Sequence, residues 1–158
     1  HLVPGRDGCR VPLPWTREGA SYGYNASGRT WLPQPEGWGE YSPQAQEGCD
    51  DSTLTLYRRS IALRRKLGLG RGSVEWLDSE PGVLLLRNGT TAIVLNTTEQ
   101  PVTIEGVGRT LITSWRRSET DESDAANTVE AAGAVVVPPN GACWLDDSAG
   151  GTDGGDPR

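Results

Sequence analysis

The chain has 158 residues and a mass of 16.9 kDa, with 21 glycines, 11 prolines, six tryptophans, no Phe and no Met. That length fits one ordinary domain, or a small domain joined to part of another, and no apolar run is long enough to span a bilayer as a helix. A net charge of −6 argues against nucleic acid, since phosphate contacts need Lys/Arg stripes and the one locally basic segment, 58–66, reads as a solvated helix face rather than a nucleic-acid patch; neither nucleic acid nor a membrane is an expected partner.

Residues 1–49 read as an irregular segment. Pro4, Pro12, Pro14, Pro33, Pro35 and Pro43 interrupt it, and Trp15, Tyr22, Tyr24, Trp31, Trp38 and Tyr41 crowd it. So long a loop inside a compact domain is functional or leans on a neighbouring surface. A helix is predicted over about 52–67. Asp51 or Ser52 can cap it, Leu54, Tyr57 and Ile61 form one stripe widened by Leu63 and Leu67, and Gly68 is a natural stop. That face should be buried.

From about residue 73 the hydrophobic period changes to two. Short strands are predicted at 73–78, 83–88, 91–96, 102–105, 110–115, 128–131, 134–137 and 142–145. Asn88-Gly89 is read as the two-residue turn of a hairpin, both residues taking positive φ. Pro138-Pro139-Asn140-Gly141 marks another reversal. Eight short strands with close turns suggest an antiparallel sandwich. Residues 118–126 read as a polar acidic loop, and 146–158 as a disordered tail. The expected organisation is 1–68, 69–145 and 146–158. Charge follows it: +3 through Arg71 (10 basic, 7 acidic) and −9 beyond (5 basic, 14 acidic).

Cys9, Cys49 and Cys143 are widely spaced and show no metal-ligand pattern, so neither a metal nor a cofactor is expected. They read as ordinary thiols of a reducing compartment, here the cytoplasm, with a Cys9–Cys49 bridge left open. No basic region followed by an apolar stretch marks a secretory signal. His1, the sole histidine, stands at the chain end, which removes Ser/His/Asp and Cys/His nucleophile systems. Most of the 21 carboxylates fall in turns, the acidic loop or the tail. None sits where desolvation would raise its pKa, as one of two facing acids must in glycoside hydrolysis. Asn25, Asn88 and Asn96 open Asn-x-Ser/Thr triplets, read as chance matches.

The sharpest local feature is Gly5-Arg6-Asp7-Gly8-Cys9-Arg10-Val11-Pro12-Leu13-Pro14-Trp15. A buried Arg–Asp pair beside an aromatic wall suits sugars: guanidinium and carboxylate groups bind hydroxyls, and a ring packs on the pyranose face. A purely structural Arg/Asp turn closed by Trp15 stays open as the alternative.

That stretch resembles a segment of α-glucosidases of glycoside hydrolase family 13, of the oligo-1,6-glucosidase-like kind, downstream of their last catalytic Asp. The family pattern there is roughly Arg-Asp-x-x-Arg-Thr/Val-Pro-Met/Leu-x-Trp. Tyr22-Gly23-Tyr24, Trp31-Leu32-Pro33 and Tyr41-Ser42-Pro43-Gln44-Ala45-Gln46 follow in the family's order, and 52–64 looks like the last barrel helix. The resemblance covers 5–67 by motif and 73–145 by strand pattern. It implies a mostly β chain: the last loop and helix of a (β/α)8 barrel, then a small antiparallel β-sandwich domain. It further implies the C-terminal part of a retaining enzyme that releases terminal α-glucosyl units from maltose- or isomaltose-type oligosaccharides. The catalytic carboxylates would lie upstream, leaving this chain inactive alone: His1 is followed by Leu2 where the family's last catalytic motif has His-Asp. Arg6 matches an Arg that reaches the glucose at the non-reducing end. Arg10 matches a second, structural Arg, and Asp7 would orient both. Cys49-Asp50-Asp51 and Gly23-Tyr24-Asn25 depart from the family pattern. The alternative is a standalone, non-enzymatic β-domain whose N-terminal arm binds a glycan or protein partner.

Overall fold

A computed structural model describes residues 5–115 and 133–148. The acidic loop expected at 118–126, the strand expected at 128–131 and the tail from 149 onward lie outside these residues. The chain divides into two compact units, one up to Arg58 and one from Arg59. The division falls inside the long helix rather than at the expected 68/69.

The first unit is built from turns. Three short 3-10 helices span Asp7–Arg10, Ala20–Gly23 and Trp38–Tyr41, and a one-turn helix α1 covers Pro43–Gln46. Side chains supply the bonds that regular structure would otherwise make. Ser42, fully buried, donates its hydroxyl to the Gly39 carbonyl at 2.6 Å and accepts from the Ala45 amide at 3.2 Å, capping α1. Gln46 then ties α1 to the next helix: its Oε1 accepts from the Leu54 amide at 3.0 Å, while its Nε2 donates to the Tyr41 carbonyl at 2.8 Å.

Helix α2, Thr53–Leu67, runs from the first unit into the second. Ser52 Oγ accepts from the Thr55 amide at 3.1 Å, so Ser52 is the cap. The helix ends as its sequence predicts. Gly68 takes φ 68, its amide reaches the Arg65 carbonyl, and the Leu69 amide reaches the Arg64 carbonyl, the paired bonds of a Schellman stop. Its expected buried face differs from the structure. No α2 residue is buried, and Tyr57 and Ile61 are exposed.

The second unit holds seven described strands: β1 Val74–Trp76, β2 Val83–Asn88, β3 Thr91–Asn96, β4 Val102–Glu105, β5 Thr110–Thr113, β6 Ala134–Val137 and β7 Ala142–Asp146. All pairings are antiparallel. The order is β1-β2-β3-β7-β5 in one sheet and β4-β6 in the other. Alternation sends Val83, Ala92, Val94, Cys143 and Leu145 to one face of the larger sheet, where they meet Ile104, Val107, Val135 and Val137 in a single hydrophobic cluster.

Two expectations change here, and one open alternative is settled. Asn88 pairs with Thr91, so the hairpin turn is Gly89-Thr90, and only Gly89 has positive φ (60). A glycine at the first central position suits a II′ turn. Asn88 stays in the strand because its buried side chain is in use: Oδ1 accepts from the Gly70 amide, and Nδ2 donates to the Arg71 and Ser73 carbonyls. Asp146 and Asp147, expected as the start of the tail, belong to the folded unit. Asp146 ends β7, and Asp147 is buried, its amide donating to the Thr90 carbonyl and its carboxylate meeting Arg87. Cys9, Cys49 and Cys143 are all free thiols, which closes the bridge left open above.

Among the described residues, no helix is long and apolar enough to cross a membrane.

Candidate functional site

The Arg6–Trp15 segment is held by its backbone. The Arg6 carbonyl accepts from both the Cys9 amide (3.2 Å) and the Cys9 thiol (2.9 Å), closing the Asp7–Arg10 turn. Val11 and the prolines then extend the chain, and the Pro12 carbonyl accepts from Gln34 Nε2 at 3.0 Å. The Trp15 and Thr16 amides both donate to the Tyr22 carbonyl, at 2.7 and 3.0 Å. Thus main-chain bonds tie the Arg6–Trp15 stretch to the Tyr22 block, and the Gln34 side chain ties it to the Trp31 block. Gly23 is required there: it takes φ 75, and a Cβ would press on the Thr16 side chain. A Cβ on Gly39 would collide with the Arg17 carbonyl.

Pro14 is buried, but the charged side chains of this segment, Leu13 and Trp15 face solvent. Asp7 Oδ1 lies 3.9 Å from Arg10 Nη1, with 71% and 65% of the two side chains exposed. The expected buried Arg–Asp pair is therefore an open, loose one, because a four-residue turn projects consecutive side chains outward. Asp7 pairs with Arg10; among the described residues no ion pair joins it to Arg6. Leu13, Trp15, Tyr24, Trp31 and Tyr41 are exposed as well, Trp31 to 91%. The arrangement presents two guanidinium groups, one carboxylate and a set of open rings. Such groups can bind hydroxyls and stack on a sugar face. None of them is a carboxylate poised in a desolvated cleft, and among the described residues no cluster of three or more His, Cys, Asp or Glu could hold a metal ion.

The tighter pairs are ones that the motifs do not single out. Arg17 grips Glu40 with two bonds, at 3.0 and 2.6 Å, and Arg58 grips Glu47 at 2.6 and 3.3 Å. In each case the guanidinium holds the carboxyl below its ordinary pKa, and the carboxylate raises the Arg. Both pairs are exposed and brace turns. The Arg17 amide adds a 2.8 Å bond to Gln44 Oε1. In the second unit, Arg87 meets Asp147 at 2.6 Å and Glu75 at 3.2 Å. Asp147 foremost holds the Arg87 guanidinium above its ordinary value. A cleft of about 500 Å³ lies between the end of α2 and the sheet, lined by Leu63, Lys66, Leu67, Thr91, Arg109 and Asp146 among others.

The three Asn-x-Ser/Thr triplets are committed to structure. Asn25 Nδ2 donates to the Arg29 carbonyl, and the Asn88 and Asn96 amides are likewise spent on backbone carbonyls.

No family model matches the chain. A protein named "Probable alpha-glucosidase" from Rhizobium meliloti (strain 1021) is 35% identical over 81 residues, covering 51% of this chain and 14% of that protein. "Salivary alpha-glucosidase" of Anopheles gambiae is 30% identical over 109 residues, covering 63% and 17%. Among solved structures, the trehalulose synthase MutB from Pseudomonas mesoacidophila MX-45 superposes on 89% of this chain and 26% of its own, with TM-score 0.68 and 23% identity. A mutant isomaltulose synthase from Erwinia rhapontici NX5, solved with D-glucose, gives TM-score 0.66 at 18% identity, covering 89% and 25%. The fold is that of the C-terminal region of such enzymes, mostly β with antiparallel sheets. In sequence the chain is similar to stretches of two proteins named α-glucosidases. It spans about one-sixth of the curated relatives it matches.

Proposed function

We propose that this chain is the C-terminal part of a retaining α-glucosidase acting on terminal α-glucosyl units of short, maltose- or isomaltose-type oligosaccharides. Residues 1–68 are the closing loop and helix of a (β/α)8 barrel, and 69–145 are a β-sandwich domain that follows it. The two acids that would form and hydrolyse a covalent glucosyl-enzyme belong to the rest of the barrel, so the chain alone is inactive. The whole protein works in the cytoplasm, a reading that the three free thiols support.

The observation that carries this reading is the likeness to two proteins named α-glucosidases, combined with a family-like Arg6-Asp7-x-x-Arg10-Val11-Pro12-Leu13-x-Trp15 segment. In the structure, backbone bonds fix that segment while Arg6, Asp7 and Arg10 remain open to solvent. Arg6 binds the glucosyl unit at the non-reducing end, Arg10 supports the turn, and Asp7 orients it through Arg10. The exposed rings of the first unit and the uncovered stripe of α2 fit the same reading, because a barrel edge has to be covered by the rest of the barrel. The second reading, a standalone glycan- or protein-binding β-domain, draws on the second unit's own hydrophobic cluster. Nitrophenol release from an α-glucoside, measured on this chain and on the longer protein, separates the two. Turnover by the longer protein alone is expected. Turnover by this chain, or by neither, overturns the proposal.

A further inference from the structure

Two neighbouring residues of the first unit hold a backbone conformation that ordinary side chains avoid. Ser21 lies at φ 46, ψ 34 and Tyr22 at φ 47, ψ 44, and Gly23 follows at φ 75. Three left-handed residues in a row make a turn of the wrong hand for L-amino acids, in which Cβ crowds the following carbonyl. Gly23 has no Cβ to crowd. Ser21 is helped locally, since its hydroxyl accepts from the Asn25 amide at 3.1 Å and donates to the Asn25 carbonyl at 3.0 Å. Asn140, the one other described non-glycine with positive φ (55), is of a type that tolerates it. Tyr22 has neither excuse, and for a bulky residue a positive φ is a genuine outlier.

Such an outlier persists only where its surroundings over-determine it, and here they do. The Tyr22 amide donates to the Gly19 carbonyl at 3.2 Å, and the Tyr24 amide donates to the Ser21 carbonyl at 3.0 Å. The turn aims the Tyr22 carbonyl at the Trp15 and Thr16 amides, which bond it at 2.7 and 3.0 Å. The half-buried Tyr22 side chain carries its hydroxyl to the Pro35 carbonyl at 3.4 Å. Tyr22 thus clamps the end of the Arg6–Trp15 segment. The residue held most tightly is Trp15, which is 57% exposed. A right-handed backbone at Tyr22 would swing the carbonyl away and leave both amides unpaired.

We propose that Tyr22 is a positioning residue of the sugar site: its left-handed backbone sets the Trp15 indole where the ring packs on a sugar face. This rests on the reading above that the Arg6–Trp15 segment meets the glucosyl substrate. Backbone strain gathers at ligand clamps, where it fixes one geometry against relaxed alternatives. Here the carbonyl does the positioning, through two amides next to the ring that it places. The sign of φ at residue 22 is therefore what the site needs, and the Tyr22 ring is its fastening. A ring packed on the sugar face binds substrate and transition state alike, so its loss raises KM and leaves kcat in place.

Tyr22→Gly, Tyr22→Phe and Tyr22→Val in the longer protein test it, by kinetics on an α-glucoside and by hydrogen exchange of the Trp15 and Thr16 amides. Glycine takes positive φ freely, and β-branched valine resists it. The Gly and Phe variants should keep KM within about threefold of wild type. The Val variant should raise KM about tenfold, the loss of one ring contact, with kcat unchanged. Only in the Val variant should the two amides exchange faster, by about tenfold or more. A residue that merely fills space gives the reverse order, because valine keeps some buried side chain and glycine none. Trp15→Leu should raise KM as Tyr22→Val does, and the double variant should be no worse than either alone. The reverse order, a Val variant with wild-type KM, or a double variant that multiplies the two losses overturns the inference. Tyr22→Ala makes the same comparison if the Val variant does not fold: a KM above that of Tyr22→Gly supports the clamp, and one equal or below overturns it. A longer protein that cleaves α-glucosides without this order sinks the inference alone. One that cleaves none, with the exchange order intact, sinks the proposed activity and leaves the clamp standing.

Discussion

Asn96 is the polar hub of the second unit, and its replacement gives a prediction that can be worked from geometry. The side chain is fully buried. Nδ2 donates to the carbonyls of Gln100 (2.8 Å), Val137 (3.1 Å) and Pro138 (3.1 Å), and Oδ1 accepts from the Thr98 amide (2.9 Å) and hydroxyl (2.8 Å). It therefore ties the loop after β3 to the end of β6 and the turn that follows. In Asn96→Ala, water can reach the Thr98 and Gln100 groups, so each of those bonds costs only about 0.5–1 kcal/mol, whereas the buried Val137 carbonyl is orphaned at about 1–3 kcal/mol. The sum is about 2.5–6 kcal/mol. For a unit of this size, that lowers the melting midpoint by roughly 10–50 °C. Asn96→Asp is the sharper probe. It keeps the acceptor for Thr98 but points a carboxylate at three carbonyls, which pushes the carboxyl pKa above its unfolded value. Stability of that variant is then retained below the unfolded carboxyl pKa and lost as pH rises through the folded one. Thermal melts followed by circular dichroism should rank wild type, Ala and Asp in that order at about pH 7, with Asp recovering toward Ala at about pH 4. An Ala variant within about 1 kcal/mol of wild type, or an Asp variant indifferent to pH, would refute the reasoning.

Asp147→Asn should cost about 2 kcal/mol in urea unfolding, below the range for a fully buried pair because Arg87 keeps 29% of its side chain exposed and retains Glu75; a loss under about 0.5 kcal/mol would make the contact ornamental. Burial pushes the Cys143 thiol from 9.0 up to about 12, so an aromatic disulfide reagent should modify Cys9 and Cys49 quickly and Cys143 only on unfolding. With a raised folded pKa, the stability this thiol contributes is complete below about pH 9 and is lost as pH climbs toward 12; three equally fast thiols would contradict both statements. In the longer protein, Arg6→Ala should lower kcat/KM for an α-glucoside roughly 10- to 100-fold with the melting midpoint unchanged; an unfolded variant, or full activity, would remove Arg6 from the sugar contact.

Periodicity was a good guide wherever a local rule decides the outcome. Strands β2, β3, β4 and β6 have the bounds that alternation predicts, and α2 begins and ends at the capping residues its sequence advertises. What stayed hidden depends on partners distant in the chain. Nothing local to Asn88 says that it serves Gly70, Arg71 and Ser73, so the hairpin turn was placed one residue early. Asp147 sits in a Gly- and Asp-rich stretch that reads as tail, and its contacts with Arg87, 60 residues away, and with the Thr90 carbonyl hold it inside. The Arg6 motif shows the converse. Its residue types were legible, but whether Arg6, Asp7 and Arg10 would be buried or open depends on a four-residue turn whose outward projection the composition does not encode.

The rims of the larger sheet carry a further consequence. β1 offers only three residues for pairing, and β5 is broken by a register shift between Thr110 and Ile112. Neither rim is a long, flat row of free backbone groups that could recruit a foreign strand. Clumping of the chain should therefore proceed by exposed apolar side chains such as Trp76, Leu84 and Leu95 sticking flat together, reversible with mild detergent, rather than by strand-on-strand growth into fibres.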